Sequence, residues 1–148
     1  MELTCSDSTQ GNAPSPLSPD GLTFEGLGDK PLAYAASDVG LRVPAAGPHY
    51  FRKAPVYLTA GTSPVAVQLT TPGSYLAWVP AGVWTSGAPP DVGPWIATNV
   101  IFDGCPDRDS TYLGGLLVPN AQVCLTLIVT HTGASLPTSR LHLGSAGC

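Results

Sequence analysis

Short segments of alternating apolar and polar residues, separated by turns, constrain the fold of this chain most. Residues 122–131 place Val123, Leu125, Leu127 and Val129 on one side and polar residues among the other set. A period of two puts successive side chains on opposite faces of a β-strand. No window shows apolar residues every three to four positions, as an amphipathic helix requires. The chain is therefore predicted to be all-β.

Further segments have strand-like patterns, and turns separate them at roughly 8–12 residues, which is typical of a sandwich or barrel. The composition agrees, because 17 Gly and 16 Pro favour turns over helices. We predict an antiparallel β-sandwich, immunoglobulin-like or a related Greek key, stabilised by disulfides. Residues 50–58 are interrupted by Pro55, which predicts an edge strand or a bulge. Residues 95–102 are apolar on both sides apart from Thr98 and Asn99, which predicts a strand near the middle of a sheet or under a loop. The other predicted strands are 64–70, 74–79, 113–118 and 139–143.

The first twenty residues differ in composition from the rest of the chain. Residues 6–20 are rich in Ser and Pro and offer almost nothing to bury. Such a composition favours an extended, solvated segment. We predict a flexible tether over residues 1–20 and a single β-sandwich domain over residues 21–148, a length sufficient for one two-layer core.

The sequence indicates neither a nucleic-acid-binding surface nor a transmembrane helix. Only 11% of the residues are charged, the net charge is −4, and the six Lys and Arg residues are scattered apart from Arg52-Lys53. Binding to nucleic acid needs clustered cations, so we expect none. No run of eighteen apolar residues is present, so no transmembrane helix is predicted. The expected partner is a protein or a component of the cell envelope.

The cysteines indicate an oxidising compartment. Four are present, Cys5, Cys105, Cys124 and Cys148, and an even number in a small β-rich chain favours disulfides and an extracytoplasmic location. We prefer Cys105–Cys124 with Cys5–Cys148, and place Cys5–Cys105 with Cys124–Cys148 second, although sequence cannot choose among pairings. The alternative is a cytosolic protein with four buried, inert thiols.

The N-terminus bears on export and anchoring. Residues 1–5 are too short and polar for an apolar targeting core, so we expect the mature end of an exported protein. A lipid anchor on Cys5 would suit a Ser/Pro-rich tether. The anchoring motif, however, needs an aliphatic residue and a small residue where Glu2 and Thr4 stand, so the anchor is not favoured.

No pattern of residues points to catalysis, a metal or a cofactor. The three histidines His49, His131 and His142 are far apart, and no C-x-x-C occurs. The acidic segment 107–110, with Asp103 nearby, lacks the spacing of a calcium loop and is predicted to be an exposed turn. No nucleophile elbow or metalloprotease motif is found, and the only two Glu residues, Glu2 and Glu25, give no basis for a paired-Glu glycosidase, although Asp pairs stay open. We expect a protein that is not an enzyme.

One loop has the composition of a binding surface. Residues 80–95 are rich in Pro and Gly, with Trp84 inside and Trp95 at the exit, and Pro89 and Pro90 between them. Proline lowers the entropy cost of ordering a loop, and an exposed indole can stack on a sugar or anchor a protein partner. We expect Trp95 to cover the open end of the sandwich and Trp78 to lie in the core. Trp84 is the leading candidate for contact with a ligand.

The C-terminal third carries a family resemblance. Gly104-Cys105, Gly114-Gly-Leu-Leu-Val-Pro119, Cys124-Leu-Thr-Leu and Gly147-Cys148 resemble the arrangement in small actinobacterial secreted or envelope proteins of unknown function. The segment is also loosely similar to immunoglobulin-like domains of bacterial lipoproteins. This resemblance implies an exported β-sandwich and supplies no catalytic residue.

The function expected from the sequence is a non-enzymatic extracytoplasmic β-sandwich that binds a protein or an envelope component through edge strands or the Trp84 loop. Two alternatives stay open. One is a structural subunit of a virion or surface layer, which low charge and high Pro and Gly content would suit. The other is a carbohydrate-binding module that uses Trp84. The oligomeric state is not predicted.

Overall fold

The structure, a computed structural model, describes residues 1–10, 22–24, 34–35, 50–62, 64–83, 93–120, 123–131, 134–135 and 139–143. In these ranges the regular structure is β-strand, apart from the single-turn 3₁₀ helices Cys5–Asp7 and Gly93–Trp95. The strands are β1 (Glu2–Leu3), β2 (Leu22–Phe24), β3 (Tyr34–Ala35), β4 (Tyr50–Lys53), β5 (Val56–Leu58), β6 (Val65–Leu69), β7 (Tyr75–Val79), β8 (Ile96–Ala97), β9 (Asn99–Phe102), β10 (Ser110–Val118), β11 (Val123–His131), β12 (Ala134–Ser135) and β13 (Ser139–Leu143).

These strands form two largely antiparallel sheets, which confirms the all-β prediction. Sheet 1 has the order β1-β9-β6-β11, and β12 and β13 both pair with β11 on the side away from β6. Sheet 2 is centred on β10, with β7 and then β8 on one side and β4 and β5 on the other. The strands β3 and β2 pair with the outer sides of β4 and β5. Only β1 and β9, among the described pairs, run parallel.

The two sheets share one hydrophobic core. The alternation predicted for β6, β7 and β11 is present, and it turns one apolar face of each strand inward. Burying one Val or Leu side chain contributes about 1.5–3 kcal/mol, so this core is the main source of stability. The buried members are Leu3, Ala54, Val56, Leu58, Val65, Val67, Leu69, Leu76, Trp78, Val100, Phe102, Tyr112, Leu116, Val118, Leu125, Leu127 and Val129.

Two glycines in β10 let neighbouring strands approach closely. A Cβ atom on Gly115 would lie 1.9 Å from a carbonyl oxygen of β4, and one on Gly114 would lie 2.4 Å from a carbonyl oxygen of β7. Gly114 also makes room for the indole of Trp78, whose Cδ1 would lie 2.7 Å from that Cβ. The Trp78 Nε1 donates a hydrogen bond of 3.1 Å to the carbonyl oxygen of Ala54. Trp78 is therefore buried and hydrogen-bonded in the core, as predicted.

The prediction of one strand over residues 95–102 was wrong. The strand β8 pairs with β7 in sheet 2, whereas β9 lies between β1 and β6 in sheet 1. The chain changes sheets at Thr98. The apolar pattern is two-sided because Ile96 packs against sheet 2, whereas Val100 and Phe102 enter the shared core.

The prediction of an edge position for residues 50–58 was also wrong. The strands β4 and β5 lie inside sheet 2, in one continuous register with β10. The backbone nitrogen of Ala54 donates to the carbonyl oxygen of Gly114 at 2.9 Å. Since successive backbone nitrogens of a strand point to opposite sides, Pro55 directs its nitrogen away from β10. The proline therefore costs no hydrogen bond to that strand.

Residues 1–10 belong to the fold, so the predicted tether over residues 1–20 is wrong for this part. Leu3 is 1% exposed, because β1 extends sheet 1 beside β9. Thr9 forms an antiparallel bridge with Thr111. Residues 11–20 lie outside the described residues.

The disulfide pairing differs from the preferred prediction. Cys5 is bonded to Cys105, with Cα atoms 4.8 Å apart, so Cys105–Cys124 with Cys5–Cys148 is wrong. Cys124 is also disulfide-bonded. Cys148, its partner in the second predicted arrangement, lies outside the described residues.

Sheet register explains why Cys105 cannot reach Cys124. Phe102 pairs with Val65, and Val65 pairs with His131, so the end of β9 and the end of β11 lie at the same end of sheet 1. Cys105 follows Phe102 by three residues. Cys124 lies seven residues before His131 on an extended strand, which is roughly 20 Å away.

Candidate binding site at the loop end

A second, smaller hydrophobic cluster lies on the face of sheet 2 that points away from the shared core. Its fully or almost fully buried members are Phe51, Ala77, Val79 and Leu117, which we call the outer cluster. They come from β4, β7 and β10 at positions that alternate with the core residues. An outward face of a sheet is buried only where other parts of the chain cover it. Sheet 2 is therefore covered on both faces at this position.

The two ends of the long Pro/Gly-rich loop supply part of this cover. Val83, near its start, and Trp95, at its exit, both pack half-buried against the outer cluster, together with Tyr75 and Ile96. The start is closed by a turn in which the Val83 nitrogen donates to the carbonyl oxygen of Pro80 at 2.9 Å. The expectation that Trp95 covers the open end of the sandwich needs correction, because Trp95 packs on the outward face of sheet 2. Both ends of the loop are thus fixed on one apolar surface.

The N-terminal segment also holds the start of this loop. The Ala81 nitrogen donates a hydrogen bond of 2.9 Å to the carbonyl oxygen of Asp7. Asp7 ends the 3₁₀ helix that begins at Cys5, and its carboxylate accepts hydrogen bonds from the nitrogen and hydroxyl of Thr4. The disulfide to Cys105 then joins this helix to the segment before β10. The start of the long loop is therefore attached to both sheets through the N-terminal segment.

The segment between β9 and β10 is held by hydrogen bonds to the turn that follows β5. The Gly61 nitrogen donates to the carbonyl oxygen of Cys105 at 2.9 Å, and the Ala60 nitrogen donates to Oδ1 of Asp109 at the same distance. The hydroxyl of Ser110 accepts a hydrogen bond of 2.9 Å from the Cys105 nitrogen. We call the surface formed by residues 4–9, 59–62, 80–83 and 103–109 the loop end. The name refers to this whole surface and not to an end of the Pro/Gly-rich loop.

Carboxylates outnumber cations among the described residues of the loop end. It holds Asp7, Asp103, Asp107 and Asp109, against Arg108. Asp7 and Asp109 accept hydrogen bonds from backbone nitrogens, and Asp107 and Asp109 are both exposed. A surface with this balance of charges attracts a partner with a basic surface more readily than an acidic one.

Tyr112 lies below this surface in the shared core. Its hydroxyl donates a hydrogen bond to the carbonyl oxygen of Asp103. Burial is the main cause that raises the pKa of Tyr112 to about 12; the hydrogen bond with Ser110 opposes this rise, and the negative charge of Asp103 adds to it. The phenol therefore stays protonated to higher pH than an ordinary tyrosine does, and it acts as a hydrogen-bond donor within the fold.

Comparison with protein families, curated proteins and solved structures finds no match. Within the described ranges, no three His, Cys, Asp or Glu side chains come together to hold a metal ion. The same ranges contain no helix long and apolar enough to cross a membrane. The properties of the loop end are therefore inferred from its own contacts and charges.

The structure brings together some predicted residues and adds others. Trp95 and the Cys5–Cys105 pair lie at or beside the loop end, whereas Trp84, Pro89 and Pro90 lie outside the described residues. The N-terminal segment was missed, because its contact with Ala81 uses a backbone carbonyl and leaves no side-chain signature.

Proposed function

We propose that this protein is a non-enzymatic, extracytoplasmic binding module that recognises a protein or an envelope component through the loop end and the Trp84 loop. The observation that supports this most directly is the anchoring of that loop. Val83 and Trp95 pack on one apolar cluster, and Ala81 is hydrogen-bonded to the N-terminal segment. A loop with fixed ends loses less conformational entropy on binding than a free one.

The cysteines support the proposed location. The Cys5–Cys105 disulfide links segments 100 residues apart, and no described cysteine is free. Disulfides persist in oxidising compartments and are rare in the cytosol of most organisms. This chemistry favours a protein that works outside the cytoplasm.

Strand order supports an immunoglobulin-like arrangement as the finer description of the fold. In that fold one sheet has strands A-B-E-D and the other C-F-G. Here β2/β3, β4/β5, β10 and β7 follow the first order, and β6, β11 and β13 follow the second. The strands β8 and β9 are additions beside D and C. Such sandwiches present loops at both ends, where binding surfaces commonly lie. Interstrand nuclear Overhauser contacts between β7 and β10 and between β6 and β11 would test this order.

Replacement of Trp84 tests the binding function. Wild-type protein, Trp84→Ala and the matched control Ile101→Ala are immobilised, and partners are captured from envelope extracts and culture medium. Ile101 is a large apolar residue, 36% exposed on the outward face of sheet 1, a different sheet from the one on which the two ends of the loop pack. We expect a captured partner to bind Trp84→Ala about tenfold more weakly or worse, with Ile101→Ala unchanged.

Three outcomes contradict the proposal in different ways. A partner that binds all three proteins equally does not use the loop. A large drop in thermal stability for Trp84→Ala assigns Trp84 to the packed interior instead. Specific hits on a glycan array, with no protein captured, would assign the loop to carbohydrate binding.

A further inference from the structure

The two sulfur atoms of the Cys5–Cys105 disulfide lie in different environments. Cys105 is fully buried, whereas Cys5 is half-buried and belongs to the 3₁₀ helix on the surface of the loop end. Thiol–disulfide exchange proceeds by attack of a thiolate on a sulfur atom that it can reach. Cys5 is the more exposed of the two residues, so we take Cys5 Sγ as the target and Cys105 as the leaving group.

A guanidinium group lies beside the accessible sulfur. The Nη2 atom of Arg108 is 3.7 Å from Cys5 Sγ, and it also lies 3.4 Å from both the carbonyl oxygen of Cys5 and the hydroxyl of Ser8. Arg108 is partly exposed, so its charge acts on groups that approach from solvent. A guanidinium is positive at every relevant pH and attracts an incoming thiolate.

A hydroxyl group lies beside the buried leaving group. The Ser8 Oγ is 3.6 Å from Cys105 Sγ, and its proton is donated to the carbonyl oxygen of Cys5 at 2.7 Å. A hydroxyl rotates about its C–O bond, so Ser8 can turn this proton toward a sulfur that becomes negative. Stabilising the departing thiolate speeds exchange, because a better leaving group leaves faster.

We propose that Cys5–Cys105 is an exchange site for small thiols, with Arg108 as the residue that guides the incoming thiolate. A thiolate RS⁻ attacks Cys5 Sγ, a new bond forms between the two sulfur atoms, and the Cys5–Cys105 bond breaks. The electron pair of that bond stays on Cys105, which leaves as a thiolate and accepts a hydrogen bond from Ser8. The reaction is an exchange that needs no oxidant, and the product carries a mixed disulfide on Cys5.

The exchange removes the covalent attachment of the N-terminal segment. Without it, that segment is held by the two-residue strand β1, by the Thr9–Thr111 bridge and by its hydrogen bonds, including the one from Ala81 to Asp7. Such short elements open more readily than the core. A modified Cys5 thus loosens the base of the long loop.

The experiment uses the full chain and reduced glutathione as the thiol. Adducts are trapped by acid and located by peptide mass spectrometry, in wild-type protein and in Arg108→Gln, Arg108→Lys and Lys53→Gln. Lys53 is an exposed cation of β4, so its replacement controls for the change in net charge. Cys124, which is exposed and disulfide-bonded, serves as the reference within each molecule.

We expect the glutathione adduct to form on Cys5 and to form about fivefold more slowly in Arg108→Gln, the effect of one unit charge about 4 Å away in a water-like dielectric. Arg108→Lys should restore most of the rate, and Lys53→Gln and the rate at Cys124 should not change. High salt should reduce the difference. An adduct on Cys105, no adduct, or an equal or faster rate in Arg108→Gln would each overturn the proposal. Because Arg108→Lys keeps the charge, it separates a charge effect from local unfolding.

Discussion

The shared core and the outer cluster are both buried, but different parts of the chain bury them. The shared core lies between two sheets, and the register of long strands determines which side chains enter it. The outer cluster lies on the other face of sheet 2, and residues at the two ends of one loop help to cover it. The first region therefore stabilises the domain, and the second fixes the loop that we propose to bind.

Because of this difference, substitutions can change the position of the loop without a comparable loss in the stability of the domain. Changes in the shared core act on both sheets at once. Changes in the outer cluster act first on the position of the loop, because local contacts of few residues open at lower free energy than the whole domain. The following predictions test this separation, from the largest expected effect to the smallest.

The largest effect is expected for Gly115→Ala. The added Cβ would lie 1.9 Å from a backbone oxygen of β4, so β4 and β10 must separate, and both faces of sheet 2 are disturbed. We expect a loss of about 5 kcal/mol in the free energy of unfolding. Gly82→Ala is the control, since a Cβ there meets nothing within 4 Å. Equal denaturation midpoints for the two variants would contradict the close approach.

Leu116→Ala and Leu117→Ala compare the two regions directly. These neighbours are both fully buried, Leu116 in the shared core and Leu117 in the outer cluster. We expect losses of about 4 kcal/mol and about 2.5 kcal/mol, because the loop-covered site can collapse onto the cavity more easily. Urea denaturation measures both values. If Leu117→Ala costs more, the outer cluster is the more rigid region.

Trp95→Ala should loosen the ends of the loop and leave the two sheets intact. Trp95 is half-buried against the outer cluster, so its loss should cost about 2 kcal/mol, less than complete burial would imply. Hydrogen exchange should rise at Val83, which packs on the same cluster, and stay unchanged in β11. Faster exchange throughout both sheets would show that the loop and the core are not separable.

Tyr112→Phe should give the smallest effect at neutral pH. It removes the hydrogen bond to the Asp103 carbonyl oxygen and the one with Ser110, at a net cost of about 1.5 kcal/mol. At high pH the sign follows from the raised pKa of about 12, against 10.0 for an ordinary tyrosine. The unfolded chain releases this proton first, so the contribution is complete below about pH 10 and is lost as the pH rises through 12.

Thermal denaturation between pH 9 and 12 checks this prediction. Wild-type stability should fall more steeply with pH than that of Tyr112→Phe. Parallel curves for the two proteins would show that Tyr112 does not titrate as inferred.

The strands with a clear period were predictable from sequence, and sheet membership was not. Alternation located β6, β7 and β11, because one face of each strand is buried in the same core. It could not reveal the change of sheet at Thr98. The apolar residues on either side of Thr98 look alike in sequence, whether they pack against the outer cluster or enter the shared core. Leu3 was missed because a two-residue strand has no period.

The candidate site was less predictable than the fold. Pro and Gly content located the loop, but the surface that holds Trp95 depends on which face of sheet 2 is covered. The proximity of Arg108 to Cys5 is a contact between residues 103 positions apart, and no local pattern contains it.

The pairing of Cys5 with Cys105 has a consequence for biosynthesis. At synthesis rates of about 10 residues per second, Cys5 is made about ten seconds before Cys105. The strand β1, just before Cys5, cannot pair until its partner β9 has been made. The strand β9 ends only three residues before Cys105. In a chain that enters the oxidising compartment N-terminus first, Cys105 is the first other thiol to follow Cys5. The order of appearance along the chain therefore offers the native partner first, before either later cysteine can compete for Cys5.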